Sequence, residues 1–132
     1  MSLTIDKIAW IEIKDKKILV ARSKGKETFY IPGGKREAGE SDQQTLIREI
    51  EEELSVSLKP ESVKYYGTFS AQAHGHSDGI MVQMTCYEGK YDGEMKAASE
   101  IDEISWLPFD KMNQTSHVDK IIFKDLRTKG LL

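Results

Sequence analysis

The segment from residue 41 to residue 54 constrains the fold most strongly, because it combines a helix start signal with two chemically different faces. Ser41 precedes Gln44 by three positions, the capping-box arrangement that begins an α-helix. Apolar residues then recur at helical spacing: Leu46, Ile47, Ile50 and Leu54. This spacing predicts a helix that packs one face against a hydrophobic core, so the rest of the chain must supply an apolar layer for it.

A second face of the same helix is acidic. Glu49, Glu52 and Glu53 stand at positions i, i+3 and i+4, which brings three carboxylates within about 100° of the helix circumference. Two carboxylates about 6 Å apart repel each other by roughly 3 kcal/mol at an effective dielectric constant near 20. A divalent cation removes that repulsion, and carboxylate and carbonyl oxygens suit Mg²⁺ or Mn²⁺. The alternative is a solvated acidic face, which destabilises a helix by only about 0.2–0.5 kcal/mol per pair.

Six other segments carry the composition of strands, and one carries the pattern of a second helix. The predicted strands are residues 7–13, 17–22, 28–31, 63–69, 80–87 and 104–107. The Asp15-Lys16 pair predicts a hairpin turn between the first two strands, and residues 32–34, Pro-Gly-Gly, end the third as a loop. Residues 116–129 predict a helix with these inward residues: Val118, Ile121, Ile122 and Leu126. A hairpin, further strands and two separated helices indicate an α+β fold.

The charge balance limits the class of ligand. The chain carries 19 Lys and Arg against 22 Asp and Glu, a net charge of −3, whereas proteins that bind nucleic-acid polymers usually have a basic excess. A small phosphorylated ligand is compatible with this charge if a divalent cation screens the repulsion. Neither a membrane-spanning apolar run nor a signal peptide is recognisable, which predicts a cytoplasmic location without membrane partners. Cys86 is the only cysteine and predicts a buried thiol.

The acidic helix stands at a fixed distance from the glycine pair. From Gly34 the sequence runs through five residues to Glu40 and through seven more to the stretch Arg48-Glu49-Ile50-Glu51-Glu52-Glu53-Leu54-Ser55-Val56. This arrangement resembles the Nudix box, G-x5-E-x7-R-E-U-x-E-E-x-G-U with U an aliphatic residue, and it matches without a gap. One position departs from the pattern, because Ser55 stands where the family has a glycine that ends the helix in a left-handed turn.

The resemblance implies a Nudix fold, a single domain over residues 1–132 in which a mixed β-sheet lies between helices as α/β/α layers. It also implies a divalent cation, Mg²⁺ or Mn²⁺, held by the Gly34 carbonyl and the carboxylates of Glu49, Glu52 and Glu53. Arg48 would pair with Glu40, or with a helix glutamate, and fix its rotamer. Glu53 or Glu100, or less favourably Glu49, would accept the proton of the attacking water.

The similarity extends less specifically beyond residues 34–56. Arg22 ends a strand as a substrate-contacting arginine does in MutT-like members, and Lys35 follows the glycines as a phosphate-contacting lysine does in some relatives. Both are equally compatible with plain solvated cations. Glu100 lies six residues before Trp106, a spacing comparable with that of a further catalytic or metal-binding glutamate in MutT-like enzymes. Glu103 is the alternative for that role, and a polar loop ahead of a strand is the structural explanation of both.

Two histidines, His74 and His76, flank Gly75 in a polar segment. A His-x-His pair suits zinc, but no third ligand stands at a telling spacing. A flexible polar loop is therefore the favoured prediction for these residues, with a position beside the substrate pocket left open.

The implied activity is Mg²⁺-dependent hydrolysis of a diphosphate linkage in a nucleoside diphosphate joined to another moiety. A nucleoside triphosphate is the preferred substrate by analogy with MutT-like members, and ADP-ribose or another nucleotide sugar is the alternative. The alternative from a different functional class is a non-catalytic ligand-binding regulator. Such proteins usually lose glutamates of the Nudix box, whereas this chain keeps them. The expected partner is a small nucleotide-like substrate rather than a nucleic-acid polymer, and a homodimer is left open.

Overall fold

Two helices pack on opposite faces of a mixed β-sheet in the computed structural model, which describes residues 4–73 and 75–132. The helices are α1, Asp42–Leu54, and α2, His117–Thr128. The strands are β1 Thr4–Trp10, β2 Ile13–Lys14, β3 Lys17–Ser23, β4 Gly33–Gly34, β5 Ser57–Leu58, β6 Lys64–Gln72, β7 Met81–Glu88, β8 Tyr91–Asp92 and β9 Ile101–Leu107. Short 3-10 helices cover Pro60–Ser62 and Phe109–Gln114. Neither α1 nor α2, the helices of the described ranges, has the length and apolar character needed to cross a membrane.

The central sheet has the strand order β4-β1-β7-β6. β1 runs parallel to β7 and antiparallel to β4, so it is paired along both edges. A second sheet has the order β2-β3-β9, and β5 pairs with β8 in a two-stranded ladder. The combination of parallel and antiparallel pairs with two helices confirms the predicted α+β class.

Alternation along β1 divides the core into two clusters, one on each face of the sheet. Ile8 and Trp10 pack with α1, whereas Ala9, between them, packs with α2. The α1 side includes the fully buried residues Leu46, Ile50 and Leu54. In α2 the predicted inward residues are buried with one exception, because Ile121 is 40% exposed and Phe123 takes the inward place. Helices on both faces of the sheet confirm the predicted layers.

The first predicted strand, residues 7–13, is wrong as a single element. It leaves the central sheet after Trp10, and the Glu12 carbonyl then accepts a hydrogen bond from the Leu19 N–H at 2.9 Å, so the chain continues in the second sheet as β2. The Asp15-Lys16 turn between β2 and β3 has φ angles of 53° and 60°. Positive φ at both central residues is the geometry of a two-residue hairpin, which confirms the predicted turn.

The predicted strand at residues 28–31 makes only isolated bridges, one from Tyr30 to β3 and one from Phe29 to Thr115. Pro32 has no N–H, so a ladder cannot continue through it. The glycine pair that was predicted as a loop instead forms β4 on β1. This pairing attaches Gly34, the first residue of the Nudix-like pattern, to the central sheet.

Candidate active site

A cleft of about 800 Å³ lies where β1, β4, the end of α1 and the start of α2 meet. It collects charged residues that are far apart in the sequence: Glu49, Glu53, Glu100, Lys7, Lys26 and Lys35. Gly33 and Gly34 form part of the same wall. The predicted site residues Gly34, Lys35, Glu49, Glu53 and Glu100 therefore share one cleft, and Glu52 and Arg22 lie outside its lining.

The acids of α1 occupy graded environments. Glu53 is 6% exposed, the Glu49 side chain 17% and the Glu52 side chain 54%. At about 100° per residue, these three positions lie about 75°, 115° and 175° from the centre of the apolar face. The residue nearest the core face is thus the most buried, and Glu52 points to solvent because it lies opposite that face.

Glu53 is the most perturbed acid of the cleft. Its Oε1 atom is buried and has no hydrogen-bond partner among residues 4–73 and 75–132. Burial, followed by the charge of the neighbouring Glu49, raises the pKa of Glu53 to about 8, although the Gly33 amide lowers it. A buried carboxylate with an unsatisfied oxygen needs a proton or a cation to be stable.

Gly34 lies directly against Glu49. A Cβ atom placed on Gly34 would stand 2.6 Å from each oxygen of the Glu49 carboxylate, so a side chain at this position would displace that carboxylate. Burial raises the pKa of Glu49, while the Arg48 guanidinium lowers it. The close approach leaves the Gly34 backbone and the Glu49 carboxylate as neighbouring oxygen donors.

Arg48 holds Glu40 and Glu49 in one network. Its Nε donates to Glu40 Oε2 at 2.7 Å, its Nη2 to Glu40 Oε1 at 2.9 Å, and its Nη1 to Glu49 Oε1 at 2.9 Å. The hydrogen bonds from Arg48 lower the pKa of Glu40 to about 2. Glu40 also accepts a hydrogen bond from Thr45 at 3.0 Å and lies outside the cleft lining, a placement suited to positioning.

The end of α1 adopts the turn for which the family pattern has glycine. Ser55 has φ 64° and ψ 21°, and its hydroxyl donates to the Lys96 carbonyl at 3.2 Å. The following polar segment is fixed to the same helix end, because the Lys96 and Ala98 N–H groups donate to the Leu54 and Glu53 carbonyls at 2.9 and 3.0 Å. This attachment carries Glu100 into the cleft.

Arg22 lies at the end of β3, as expected, and its guanidinium is paired with two acids of β9. Its Nη2 lies 2.8 Å from Asp102 and 3.1 Å from Glu103, so two carboxylates already neutralise it beside β9. β9 begins at Ile101, three residues before the predicted strand, so Glu103 pairs with Arg22 and Asp102 lies at the irregularity in register between Arg22 and Ser23. The expected substrate contact of Arg22 has no support from this position, and Glu103 is likewise occupied.

The donor set of the cleft fits a hard divalent cation. Glu49, Glu53 and the Gly34 backbone supply oxygen atoms, which Mg²⁺ and Mn²⁺ prefer together with water and substrate phosphate. Within residues 4–73 and 75–132, no group of three His, Cys, Asp or Glu side chains converges closely enough to hold a metal ion by itself. Glu52, the third expected ligand, has a side chain that is 54% exposed, with Arg48 Nη1 3.4 Å from its Oε2, and its part in binding a cation stays a prediction.

Sequence reasoning missed Lys7, which lines the cleft from β1. A lysine among alternating apolar strand residues was the available signal. His76 also lines the cleft, in line with the predicted loop, whereas His74 lies outside the described residues.

Comparisons with known proteins agree with this geometry. The uncharacterized Nudix hydrolase YvcI of Bacillus subtilis strain 168 is 28% identical over 92 residues, and an ADP-ribose pyrophosphatase of Methanocaldococcus jannaschii is 28% identical over 116 residues. These alignments cover 70% and 85% of this chain but only 58% and 66% of those proteins.

The crystal structure of a MutT NUDIX hydrolase from Burkholderia pseudomallei has the same fold. It superposes with a TM-score of 0.74 at 21% identity, over 92% of this chain and 96% of that one. The family described as the NUDIX domain matches residues 7–126. The chain therefore belongs to the NUDIX domain family.

Proposed function

We propose that this chain is a hydrolase that uses a divalent cation, Mg²⁺ or Mn²⁺, to cleave a diphosphate linkage in a nucleoside triphosphate. One observation carries the proposal: the buried, unpartnered Oε1 of Glu53 in a cleft shared with Glu49 and Gly34. Such a carboxylate is poorly satisfied by the protein alone and suits a site completed by a cation and a phosphorylated ligand.

Each residue of the cleft has a proposed role that fits its position. Glu49, Glu53 and the Gly34 carbonyl would hold the cation, whose chemistry is to neutralise phosphoryl oxygens and to lower the pKa of water. Glu100 stands across the same cleft as a candidate acceptor of the water proton, beside Glu53. Lys35, next to the glycine pair, would contact a phosphate of the substrate.

Arg48 and Glu40 act as positioning residues in this proposal. Their two short hydrogen bonds fix Arg48, and Arg48 in turn fixes the Glu49 carboxylate. Because a misplaced ligand weakens a metal site strongly, this support matters for turnover without any contact to substrate.

ADP-ribose is the second candidate substrate. The relative from Methanocaldococcus jannaschii bears the name ADP-ribose pyrophosphatase, and this chain spans 66% of its length. Both substrates contain a diphosphate that the same cation and carboxylates would bind, so the difference lies in the remainder of the cleft.

A substrate panel with product identification tests the proposal. The four nucleoside triphosphates and ADP-ribose are incubated with the protein in Mg²⁺, in Mn²⁺ and in EDTA. We expect turnover with the divalent ions and none in EDTA, with triphosphates cleaved faster than ADP-ribose. Faster cleavage of ADP-ribose would replace the substrate assignment. Tight binding of these nucleotides without any turnover would instead favour a ligand-binding regulator.

A further inference from the structure

Lys7 stands on a wall of the cleft that the phosphate chemistry leaves unused. It lies on the same face of β1 as Ile5 and Ala9, the face that packs towards α2. Its backbone pairs with Met84 of the parallel strand β7, so the position of the side chain is set by the central sheet. Lys7 is half-buried and lines the cleft.

The surroundings of Lys7 on this wall are apolar. The cleft residues that belong to the α2-side core or pack against it are Ile5, Ile31, Ala73, Val82, Met84 and Val118. These side chains form a surface suited to a flat, weakly polar ring rather than to phosphate groups. Lys7 is the cation of that surface, whereas Lys35 adjoins the glycine pair.

Two carboxylates act on Lys7 electrostatically without binding it. The Lys7 charge lowers the pKa of both Glu53 and Asp119, so one acid of α1 and one acid of α2 are within electrostatic range of the ammonium. In the part of the chain that the structure describes, no carboxylate oxygen comes within 4.0 Å of the Lys7 nitrogen. The half-buried Lys7 ammonium carries three donors, and its contact with solvent leaves them available to acceptors of a ligand.

We propose that Lys7 is a specificity-determining residue that donates a hydrogen bond to a carbonyl oxygen of the substrate's nucleobase, while the base lies on the apolar wall. This inference rests on the proposed nucleotide substrate. An ammonium can donate but cannot accept, so it selects bases by their acceptors. Guanine, cytosine and uracil carry an exocyclic carbonyl, whereas adenine offers only ring nitrogens as acceptors and carries an exocyclic amino group, which cannot accept from an ammonium. The chain should therefore prefer the first three bases to adenine.

Binding of nucleoside monophosphates in Mg²⁺ tests the inference without relying on turnover, because these ligands contain no diphosphate linkage to hydrolyse. Titrations of GMP, CMP, UMP and AMP are followed by calorimetry with the wild-type protein, Lys7→Met and the control Lys26→Met. We expect the wild-type protein to bind the three carbonyl-bearing nucleotides about tenfold or more tightly than AMP, the usual scale of a hydrogen bond to a charged group. Lys7→Met should remove this preference and leave AMP within about twofold.

The control variant separates base contact from general charge. Lys26 lines the same cleft, and Lys26→Met removes a cation of equal size, so it should weaken all four nucleotides alike and keep the preference. An equal loss for all four nucleotides in Lys7→Met would assign Lys7 to the phosphate and overturn the inference. A wild-type protein that binds AMP as tightly as GMP, CMP and UMP would overturn it before any variant is made.

Turnover distinguishes this inference from the proposed function. If the protein hydrolyses triphosphates with equal kcat/KM for ATP and GTP, and Lys7→Met changes both equally, the hydrolase stands and the role of Lys7 falls. If base-selective binding depends on Lys7 but no nucleotide is hydrolysed, the role of Lys7 stands and the hydrolase falls. Melting temperatures of both variants within a few degrees of wild type confirm that the fold is kept.

Discussion

Each helix buries one carboxylate beside the cleft, and the two acids differ in what surrounds them. Glu53 of α1 is 6% exposed, lines the cleft and stands near Glu49 and Glu100. Asp119 of α2 is fully buried and outside the lining, and its Oδ2 accepts a hydrogen bond from the Ile31 N–H at 3.3 Å. Each acid has one oxygen without a partner.

The difference teaches that burial alone does not identify a catalytic acid. Burial is the largest cause of the raised pKa in both residues, to about 8 for Glu53 and about 7 for Asp119. Only Glu53 adds the charge of neighbouring carboxylates and access to a ligand. Asp119 instead faces a backbone donor and links α2 to the segment that precedes the glycine pair, which is the position of a structural acid.

The largest expected effect is on kcat, which should distinguish Glu53 from Asp119. Glu53→Gln should lower kcat at least about a hundredfold, because it removes a cation ligand or a proton acceptor, whereas Asp119→Asn should stay within about threefold. Steady-state kinetics at saturating Mg²⁺ measure both. Glu52→Gln, a matched change at the exposed neighbour, should cost about tenfold or less. Equal losses in Glu53→Gln and Asp119→Asn would end the distinction between them.

The pH dependence of metal binding sharpens the assignment of Glu53. Its raised pKa of about 8 means that the folded protein holds a proton there at neutral pH, and a cation must displace it. Mg²⁺ affinity should therefore rise by about tenfold per pH unit below 8 and level off above it. Calorimetric titration between pH 6 and pH 9 gives the slope. A flat profile in the wild-type protein would remove Glu53 from the ligand set.

Substitution of Asp119 should change the stability of the protein rather than its rate of catalysis. Burial raises its pKa from 3.8 to about 7, so the folded state keeps a proton that the unfolded chain releases. The free energy of unfolding therefore falls as the pH rises from about 4 to about 7. Asp119→Asn does not titrate, and it should be more stable than wild type by at least about 1 kcal/mol at pH 8, or roughly 4 °C in Tm.

Thermal melting at several pH values measures this effect. At pH 4 the advantage of Asp119→Asn should vanish, because both proteins are then neutral at residue 119. The Asn side chain can still accept the Ile31 N–H, so the variant keeps the observed contact. A variant less stable than wild type at pH 8 would mean that the charged form of Asp119 is the one that the fold requires.

The ends of the two helices provide the smallest expected effect. α2 is followed by Gly130 at φ 77°, whereas Ser55 takes the left-handed conformation at the end of α1. Ser55→Gly should change the free energy of unfolding by less than about 1 kcal/mol, because relief of backbone strain offsets the lost hydrogen bond to Lys96. Ser55→Ala keeps the strain, loses the bond and should be the less stable variant in denaturant unfolding.

Local patterns sufficed for the parts of the site that lie on one element. The capping box of Ser41 and Gln44 is present as predicted, with both reciprocal hydrogen bonds. The helical angles of the glutamates to the apolar face predict that Glu53 is more buried than Glu52. Their sequence spacing alone does not distinguish them.

The remaining features depend on pairing between distant strands, which a local pattern does not contain. Arg22 is neutralised by Asp102 and Glu103 because β3 and β9 are in register, some 80 positions apart in the chain. Lys7 lines the same cleft as the start of α2 because β1 runs between β4 and β7. The break in the strand after Trp10 also depends on pairing between distant strands. Residues up to Trp10 pair in the central sheet, whereas Ile13 of the same predicted strand pairs in the second sheet.

The pairing of the glycine segment with β1 has a consequence for ligand affinity. A Gly-Gly sequence has more backbone freedom in an unfolded chain than any other dipeptide, and ordering it is unfavourable. Gly33 and Gly34 pair with Ala9 and Ile8. The entropy loss of ordering the two glycines therefore occurs when the protein folds, and ligand binding does not have to order this segment again. A change that freed this short strand, without altering an acid, would weaken ligand binding through entropy alone.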